Sequence, residues 1–542
     1  MQEPHSTVTQ PSQLRRVRPG LYRCASAQRG PDHPAVGYAL RRDAQTTVLI
    51  DPPADLTPPQ IEAADLPPVT DILITHLQAE HAAGVAHFPE ARVHVPRGDA
   101  YLAGGAAAYR DVWEAWVAPW DWEHRGNFHG HLAGAFNERP PAQPIAIAGT
   151  FEPGERVLGF DVRATPGHGK HAVTLITDLA GERVAFCGDV VCNDGQLWSW
   201  FDCEWDYGPE TGQRTLRDSA ARFRDEKPDL LLPAHGEPIE APDAALAALV
   251  QRLDAALAPI SDGADDIDPQ RHAPLEKPSA APGFRELLPG LHQWCETPGN
   301  CAVLVSETGR ALLIDDGLCT WKPLDERAAH HREVMQQLKQ RLGIERIDTV
   351  LITHFHGDHI ENIPDLVEME ACEVVTLDVV AGPVERPEDY NLACLLPWYG
   401  TRYRAVKVDR QLQDGDVLQW HEYQLKLFHL GGQTYYHAGI ETTVADRRVV
   451  FVGDAIMSVD VNCAGVICYN DAEPATRGWA YALDHLIERE PDLLVSGHAG
   501  AIVDPMPVLQ RKRANWNTRL AQLDALNARG DRRLFFDPFY GR

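Results

Sequence analysis

The feature that most constrains the fold is an internal repeat, in which four short blocks occur twice in the same order. The pairs are QTTVLIDPP (45–53) and GRALLIDDG (309–317), ILITHLQAEH (72–81) and VLITHFHGDH (350–359), ERVAFCGD (182–189) and RRVVFVGD (447–454), and PDLLLPAHG (228–236) and PDLLVSGHA (491–499). Matching residues keep nearly constant separations: Asp454 follows Asp189 by 265 residues, and His498 follows His235 by 263 residues. The chain is therefore predicted to contain two copies of one domain.

Domain boundaries follow from the composition between the two copies. The segment 258–284 is rich in Pro, Ala and Asp and has no apolar periodicity, which is typical of a linker. The predicted domains are residues 15–257 and 285–542. In each block a buried strand ends in a polar turn, and helical segments follow the strands. This alternation predicts a layered α/β architecture.

Charge and cysteine content narrow the classes of partner. A formal net charge of −28 argues against a nucleic-acid surface, which needs clustered Lys and Arg. The first twenty residues lack an apolar signal segment, and no apolar run is long enough to span a bilayer. The eleven cysteines are odd in number and have no framework spacing. We therefore expect a reduced, cytoplasmic protein with buried thiols and no membrane or nucleic-acid partner.

The second copy gathers residues that are typical metal ligands at strand ends. The turn after its second block and the later blocks supply His354, His356, Asp358, His359, Asp454 and His498. Imidazole and carboxylate ligands suit zinc, iron or manganese. An aspartate directly after a strand, such as Asp454, can bridge two ions with its two oxygens. Two ions about 3.5–4 Å apart would turn bound water into a hydroxide nucleophile near neutral pH.

The motif THFHGDH, followed by VGD and SGHAG, resembles the metallo-β-lactamase superfamily. The resemblance covers both copies and implies two αββα sandwiches in tandem. It also implies a metal-dependent hydrolase with two Zn²⁺ ions per competent site, Fe or Mn being the alternative. Most members of this family hydrolyse esters, amides, lactones, thioesters or phosphodiesters, and some are di-iron proteins that handle dioxygen or nitric oxide.

Each copy departs from the family pattern at one ligand of the first metal. The resemblance assigns that ligand to His168 in the first copy, and Gln433 occupies the equivalent position 265 residues later. An amide oxygen is a weaker ligand than imidazole. His437 or His429 could replace it, although a nearby histidine is more often a hydrogen-bonded polar group.

The first copy has an H-x-Q-x-E-H motif in place of H-x-H-x-D-H, because Gln78 replaces a histidine. The residues that match family ligand positions are His76, Glu80, His81, His168, Asp189 and His235. Two hypotheses remain open for this copy: a changed or mononuclear metal site, or a domain that only supports the structure or binds a partner.

Other residues are expected around the sites. Asp51 and Asp315 end strands and are expected to orient a ligand histidine. Aromatic stretches at 109–134 and 195–208, together with Trp398, Tyr399, Tyr435 and Tyr436, could line a substrate pocket or pack in the core. The last residues, LFFDPFYGR (534–542), are expected to dock on the protein or on a second subunit, which leaves a homo-oligomer open.

Together these patterns predict a hydrolase of a small organic ester, amide, lactone, thioester or phosphoester, acting through metal-bound hydroxide in the second copy. Asp358 or Asp454 is expected to steer the proton. The alternatives are di-iron redox chemistry, because the same ligands bind iron, and a non-catalytic scaffold or ligand-binding protein.

Overall fold

The computed structural model describes residues 14–26, 35–105, 108, 140–200, 203, 211–261, 277–294, 301–317, 324–387, 404–456, 473, 475–497 and 501–530. Within these ranges, each half of the chain forms two β-sheets, as expected for a pair of sandwiches. The prediction of a tandem, layered α/β architecture is confirmed.

The first half contains sheets of seven and five described strands. The larger sheet runs in chain order through β1 (Arg15–Arg18), β2 (Leu21–Ala25), β3 (Val36–Arg41), β4 (Thr47–Ile50), β5 (Val69–Leu73), β6 (Arg92–Pro96) and β7 (Ile147–Phe151). The smaller sheet has the order β12-β11-β10-β9-β8, with β8 (Arg156–Val157), β9 (Phe160–Ala164), β10 (Val173–Leu179), β11 (Glu182–Gly188) and β12 (Leu230–Pro233). The helices are α1 (Pro58–Ala63), α2 (Ala79–Ala82), α3 (Thr211–Phe223) and α4 (Pro242–Ser261).

The second half contains sheets of eight and six described strands, each in chain order. The first is β13 (Lys277–Pro278), β14 (Phe284–Leu288), β15 (Leu291–Trp294), β16 (Ala302–Val305), β17 (Arg310–Ile314), β18 (Arg346–Leu351), β19 (Glu373–Leu377) and β20 (Arg410–Leu412). The second is β21 (Val417–Trp420), β22 (Tyr423–His429), β23 (Ala438–Val444), β24 (Arg447–Gly453), β25 (Leu493–Ser496) and β26 (Ile502–Val503). The helices are α5 (Leu324–Leu342), α6 (Gly357–Ile360), α7 (Ile363–Glu370), α8 (Asp378–Glu385), α9 (Trp479–Arg489) and α10 (Met506–Leu526).

Alternating side chains build the layers. In β10, Leu175 faces the apolar core between the two sheets of the first domain, whereas its neighbour Ile176 faces the layer of α3 and α4. On the outer face of the larger sheet, Leu49 packs with Ile61 of α1. The layers stack in the order helix, sheet, sheet, helix, and apolar side chains fill the three interfaces between them. The polar strand ends lie along one edge.

The two domains are packed against each other through their helical layers. Helix α4 of the first domain contacts α10 of the second, and the buried cluster that includes Leu253 also includes Leu523. Within this interface the Arg519 guanidinium donates to the Ala256 carbonyl at 3.3 Å. The domains therefore share one continuous apolar core, and burial of apolar surface holds them together.

The segment predicted as a linker, 258–284, contains ordered elements at both ends. Helix α4 continues to Ser261, and Lys277–Pro278 pair with β14 in the second domain. Residues 262–276 lie outside the described part of the chain, so the exact domain boundaries stay a prediction. The six described cysteines are buried and form no disulfide bond with one another, and no described helix has both the length and the apolar character needed to cross a membrane.

Candidate metal centres

The parallel strand order brings the repeated blocks together. Strands β4 to β7 are mutually parallel, as are β11 and β12, so their carboxyl ends lie along one edge of the sandwich. Asp189 directly follows β11, and His235 follows β12 by two residues. The second domain repeats this arrangement with β17 to β20 and with β24 and β25.

In the first domain, the carboxylate of Asp189 lies at the centre of the site. Its Oδ2 is 3.1 Å from Nε2 of His81, 3.2 Å from Nε2 of His168, 3.5 Å from Nε2 of His76 and 3.7 Å from Nε2 of His235. All five side chains are at least nine-tenths buried. One oxygen facing four imidazole nitrogens is the arrangement expected of a carboxylate that bridges two ion positions.

The ligand-type atoms of the first domain form two adjacent clusters. One consists of His76, His168 and Asp189, and the other of Glu80, His81 and His235; within each, the ligand atoms lie within 4.8 Å of one another. Gln78, at the departure from the family motif, places its Oε1 3.1 Å from Nε2 of His168. The substituted glutamine is therefore directed into the first cluster.

In the second domain, His354, His356 and Asp454 form a cluster with the same 4.8 Å limit. Asp454 Oδ1 also lies 3.1 Å from Nε2 of His359, and Asp358 Oδ2 lies 3.8 Å from that same nitrogen. The side chain of Asp358 is 14% exposed, more than the other groups named here. His498 lies outside the described residues, so the second cluster of this domain stays a prediction.

Gln433 and His437 have different environments. Gln433 is 3% exposed, and its Oε1 has no hydrogen-bond partner in the described part of the chain. His437 Nε2 accepts the backbone N–H of Asp454 at 3.2 Å, so its lone pair is already engaged. His429 is likewise engaged, because its two ring nitrogens contact the Tyr481 hydroxyl and the Tyr435 carbonyl. These contacts favour Gln433 over either histidine as a ligand.

The same pair of contacts supports the motif turn in both halves. Asp51 accepts both the backbone N–H and the hydroxyl of Thr75, at 2.8 and 2.7 Å, and Asp315 does the same for Thr353. Both aspartates have positive φ, which Asp tolerates better than most residues. Asp315 Oδ2 also lies 2.8 Å from Nδ1 of His359, as predicted for a residue that orients a ligand histidine.

The glycine before each central aspartate is required by close packing. A Cβ at Gly188 would lie 2.7 Å from Thr75 Oγ1, and one at Gly453 would lie 2.6 Å from His437 Nε2. Both glycines also have positive φ. The repeated Gly-Asp pair therefore lets the strand end approach the histidine turn closely enough for the aspartate to reach the cluster.

Burial and the central carboxylates shift the pKa values of the histidines in opposite directions. Burial disfavours the charged form of His81, but Asp189, Glu80 and Asp51 outweigh it and raise the pKa of His81 to about 9. Burial lowers the pKa of His235 to about 3 despite Asp189. In the second domain burial holds the pKa of His354 well below its ordinary value, whereas Asp454, Asp358 and Asp315 overcome burial and raise the pKa of His359.

The donor atoms fit a metal ion. Nε2 of His76 in the first domain, and Nε2 of His354 and Oε1 of Gln433 in the second, are buried without a hydrogen-bond partner among the described residues. Unpaired buried polar atoms are costly, and native structures contain few of them. An ion held by these nitrogens and oxygens would satisfy them, and the N/O donor set suits a divalent transition ion.

Two residues beside the site of the first domain, Trp198 and Asp99, were not singled out individually by the sequence patterns. The indole of Trp198 lies flat against the His235 imidazole, with centroids 4.4 Å apart and planes 4° apart. Asp99 accepts the backbone N–H of Leu77 at 2.9 Å, beside His76 in the motif turn. Trp198 falls in the aromatic stretch 195–208, whereas the stretch 109–134, Trp398, Tyr399 and 534–542 lie outside the described residues.

Comparisons with known proteins agree with this geometry. The family model described as "Metallo-beta-lactamase superfamily" matches residues 31–235 and again 296–498. These two regions make up most of the chain, so the protein belongs to the metallo-beta-lactamase superfamily. It carries two domains of that family in tandem.

Curated relatives are similar over shorter stretches. A "probable metallo-hydrolase" of Mycobacterium bovis is 27% identical over 179 residues, covering 31% of this chain and 55% of that protein. An atrochrysone carboxyl ACP thioesterase of Paecilomyces divaricatus is 23% identical over 161 residues, covering 29% and 40%. A hydroxyacylglutathione hydrolase of Rhodopseudomonas palustris is 25% identical over 114 residues, covering 21% and 36%. The chain thus spans about half the length of these relatives, or less.

Solved structures that are similar cover less than half of this chain. A metallo-beta-lactamase from Cronobacter sakazakii with a mutated HARLDQ motif is 17% identical and covers 44% of this chain and 97% of its own, with a TM-score of 0.34. A beta-lactamase from Chitinophaga pinensis is 14% identical and covers 48% and 99%, with a TM-score of 0.35.

Proposed function

We propose that this protein is a metal-dependent hydrolase of a small organic ester, amide, lactone, thioester or phosphoester, with metal held in both domains. The observation that carries the proposal is the position of Asp189, whose Oδ2 lies within 3.7 Å of four imidazole nitrogens. The equivalent Asp454 lies 3.1 Å from His359 and 3.7 Å from His354. Without a cation, His76 Nε2 in the first site and His354 Nε2 and Gln433 Oε1 in the second are buried with no hydrogen-bond partner among the described residues, which is costly.

The proposed ligands in the first domain are His76, Gln78, His168 and Asp189 for one ion, and Glu80, His81, His235 and Asp189 for the other. In the second domain they are His354, His356, Gln433 and Asp454 for one ion, and Asp358, His359, His498 and Asp454 for the other. Two divalent ions, with Zn²⁺ the first choice, would supply Lewis acidity and activate a water molecule.

The chain's own residues orient the donors and handle the proton. Asp315 fixes the ring of His359 through Nδ1, which leaves Nε2 directed at the site. The Asp358 carboxylate is the more exposed acidic group of the second site, so its Oδ2 is placed to accept a proton from water. Asp454 is 1% exposed and supplies a fixed negative charge among the imidazoles.

The net charge of the chain and the printed name of one relative narrow the class of substrate. A net charge of −28 disfavours nucleic acids and leaves small molecules as substrates. One curated relative is a thioesterase. A thioester is therefore the first substrate to test, ahead of lactones, esters and phosphodiesters.

The test combines metal analysis with hydrolysis assays. Protein purified without added metal is analysed for zinc, iron and manganese, and then assayed on a panel of small thioesters, lactones and phosphodiesters. We expect bound zinc and hydrolysis that chelator abolishes and zinc restores. His76→Ala/His81→Ala and His354→Ala/His356→Ala each remove the metal of one domain, whereas the control variants His94→Ala and His429→Ala retain it.

Two results would contradict the proposal. Protein that contains no transition metal, and takes up none on addition, has no metal-dependent activity. Bound iron with visible absorption and no hydrolysis of the panel would instead identify the redox alternative.

A further inference from the structure

The second domain reaches the metal cluster of the first through a short segment after α10. The backbone N–H of Leu197 donates to the Leu526 carbonyl at 2.9 Å, and the Ala528 N–H donates to the Leu197 carbonyl at 3.1 Å. Leu197 and Asn527 form a parallel β-bridge. The Gln196 side chain adds a bond to the Asn527 carbonyl at 3.2 Å. The loop that follows Asp189 is therefore tied to the other domain by its backbone.

The next residue of that loop contacts a proposed ligand. Trp198 stacks on the His235 imidazole at 4.4 Å with nearly parallel planes. Arg529 of the second domain places its Cζ 5.1 Å from the centre of the same indole ring. A guanidinium within about 6 Å of an indole centroid is attracted by the ring. Arg529, Trp198 and His235 thus form one series of contacts from the second domain to the first site.

The end of the loop after Asp189 is held both by packing and by pairing with the second domain, because Leu197 is buried in the apolar cluster shared by the two domains. Loop 190–198 is closed internally by two backbone bonds of 2.9 Å between Cys192 and Gln196, which leave Leu197 and Trp198 beyond the closed turn. The strand-like pairing with residues 526–528 and the packing of Leu197 together set their position. The backbone of His235 is placed by its bridge with Ala35, and the stacked Trp198 ring bears on the orientation of the imidazole and hence of Nε2.

We propose that the segment 527–530 of the second domain positions His235 through Trp198, so that metal affinity at the first domain depends on the second. The proposal rests on the proposed function, because it concerns a metal ligand. Arg529 and Trp198 act here as positioning residues. The first domain is then not an independent copy, and its second ion, shared by Glu80, His81 and His235, is the one affected.

The test measures metal binding at the first domain alone. In a His354→Ala/His356→Ala background, Co²⁺ affinity is determined by competition with a chelator and by its visible absorption bands. We expect Trp198→Leu to weaken binding of the second ion about tenfold, and Arg529→Ala to weaken it about two- to fivefold. Trp198→Phe and Arg529→Lys, which retain an aromatic face and a cation, should restore most of it.

A matched control separates positioning from general loss of stability. Arg513→Ala removes an arginine of α10, the helix that precedes Arg529, and this arginine contacts Asp484 and Asn517 within the second domain. It should leave Co²⁺ binding unchanged. A second readout needs no metal: stacking against Trp198 shifts the imidazole proton resonances of His235 upfield, and Arg529→Ala should reduce this shift.

The outcomes are distinct. Co²⁺ binding that stays the same in Trp198→Leu and Arg529→Ala as in Arg513→Ala overturns this inference while leaving the proposed function intact. Equal losses in Arg529→Ala and Arg513→Ala also overturn it, because the effect would be one of stability. If the parent protein binds no Co²⁺ in the first domain, the proposed function for that domain and this inference both fail.

Discussion

The two domains share the aspartate–threonine contacts at the motif turn but support the segments behind it by different means. In the second domain, α5 is nineteen residues long and brings two side chains behind the turn: Arg327 pairs with both oxygens of Glu361, at 2.9 and 2.8 Å, and His331 contacts Asp316 at 2.9 Å. All four are buried. In the first domain, α1 has six residues, and Pro52 and Pro53 occupy the turn after β4 and pack against Gly84 and Gly37.

This difference shows that one scaffold can support its site with main-chain contacts or with buried charges. In the first domain, proline restricts the backbone directly, and the turn after β4 is joined to the segment after α2 by the Gly84 N–H, which donates to the Pro52 carbonyl at 2.8 Å. The second domain relies on ion pairs that were desolvated on folding, and these are stable only when complete. The two sites should therefore respond differently to single substitutions, and four predictions follow from that contrast in order of effect.

The largest effect is expected at the buried ion pair of the second domain. Glu361→Ala leaves Arg327 buried without its partner and should lower the free energy of unfolding by about 3–5 kcal/mol. Asp365→Ala, one helical turn later, removes a pair with the partly exposed Arg404 and should cost under about 1 kcal/mol. Urea denaturation of both variants checks this contrast, and similar values for the two would contradict it.

Next in size is the loss of a central carboxylate. Asp189→Asn and Asp454→Asn should each weaken metal binding in their own domain by about 100-fold, because each removes the charge shared by several imidazoles. Metal content per domain and hydrolysis rates are compared for the two variants. The variant that loses hydrolysis identifies the catalytic domain. Retention of full metal content in both would show that the clusters do not bind ions.

A smaller gain is expected from restoring a family ligand. Gln433→His should strengthen metal binding in the second domain about tenfold, since imidazole is a better ligand than an amide oxygen for zinc. Gln78→His is the matched change in the first domain, where the glutamine already contacts His168. Chelator competition gives both affinities. Weaker binding in Gln433→His would favour an oxygen ligand, and hence a harder ion, at that position.

The smallest effect concerns acid stability, where the domains use opposite charges at equivalent positions. Arg163 and Arg183 bond to Glu226 and lower its pKa. In the second domain Arg489 instead stacks on Phe428, with Cζ 3.5 Å from the ring centre. Since the pKa of Glu226 is lowered by folding, its contribution is present above about pH 4.3, the unfolded value, and is lost as pH falls through the folded value.

Because Glu226 is partly exposed, its ion pairs are expected to contribute only about 0.5 kcal/mol to the free energy of unfolding. Glu226→Gln should remove that part of the difference in stability between pH 6 and pH 3. Phe428→Leu should leave the difference unchanged, because it removes only the ring under Arg489 and that stack contains no group that titrates in this range. Thermal melting at both values of pH is the measurement, and an unaltered difference in Glu226→Gln would exclude the assigned role.

The sequence predicted those features that recur in both halves. Strand ends, the Gly-Asp pair and the supporting Asp315 could be read from repeated blocks because each is fixed by local backbone geometry. The sequence also favoured the second copy as the better site, since it matches the family motif more closely. The described residues form two clusters in the first domain and one in the second, where the predicted ligand His498 lies outside the described part, so the preference for the second copy stays a prediction.

Features formed between distant segments were not predictable. Arg529 follows the last helix with no motif around it, and its contact with Trp198 depends on how α4 and α10 pack. Likewise Arg327 and His331 read as ordinary polar residues of an amphipathic helix, although both are buried. Periodicity identifies which face of an element is apolar, but it does not show which charged residue will find a partner inside.

The pairing of Leu197 with residues 526–528 should keep the two halves associated even when the chain between them is cut. This main-chain pairing joins the two halves in the way that hydrogen bonds join neighbouring strands of one sheet. Cleavage between residues 262 and 276 should therefore yield two fragments that co-purify as a heterodimer.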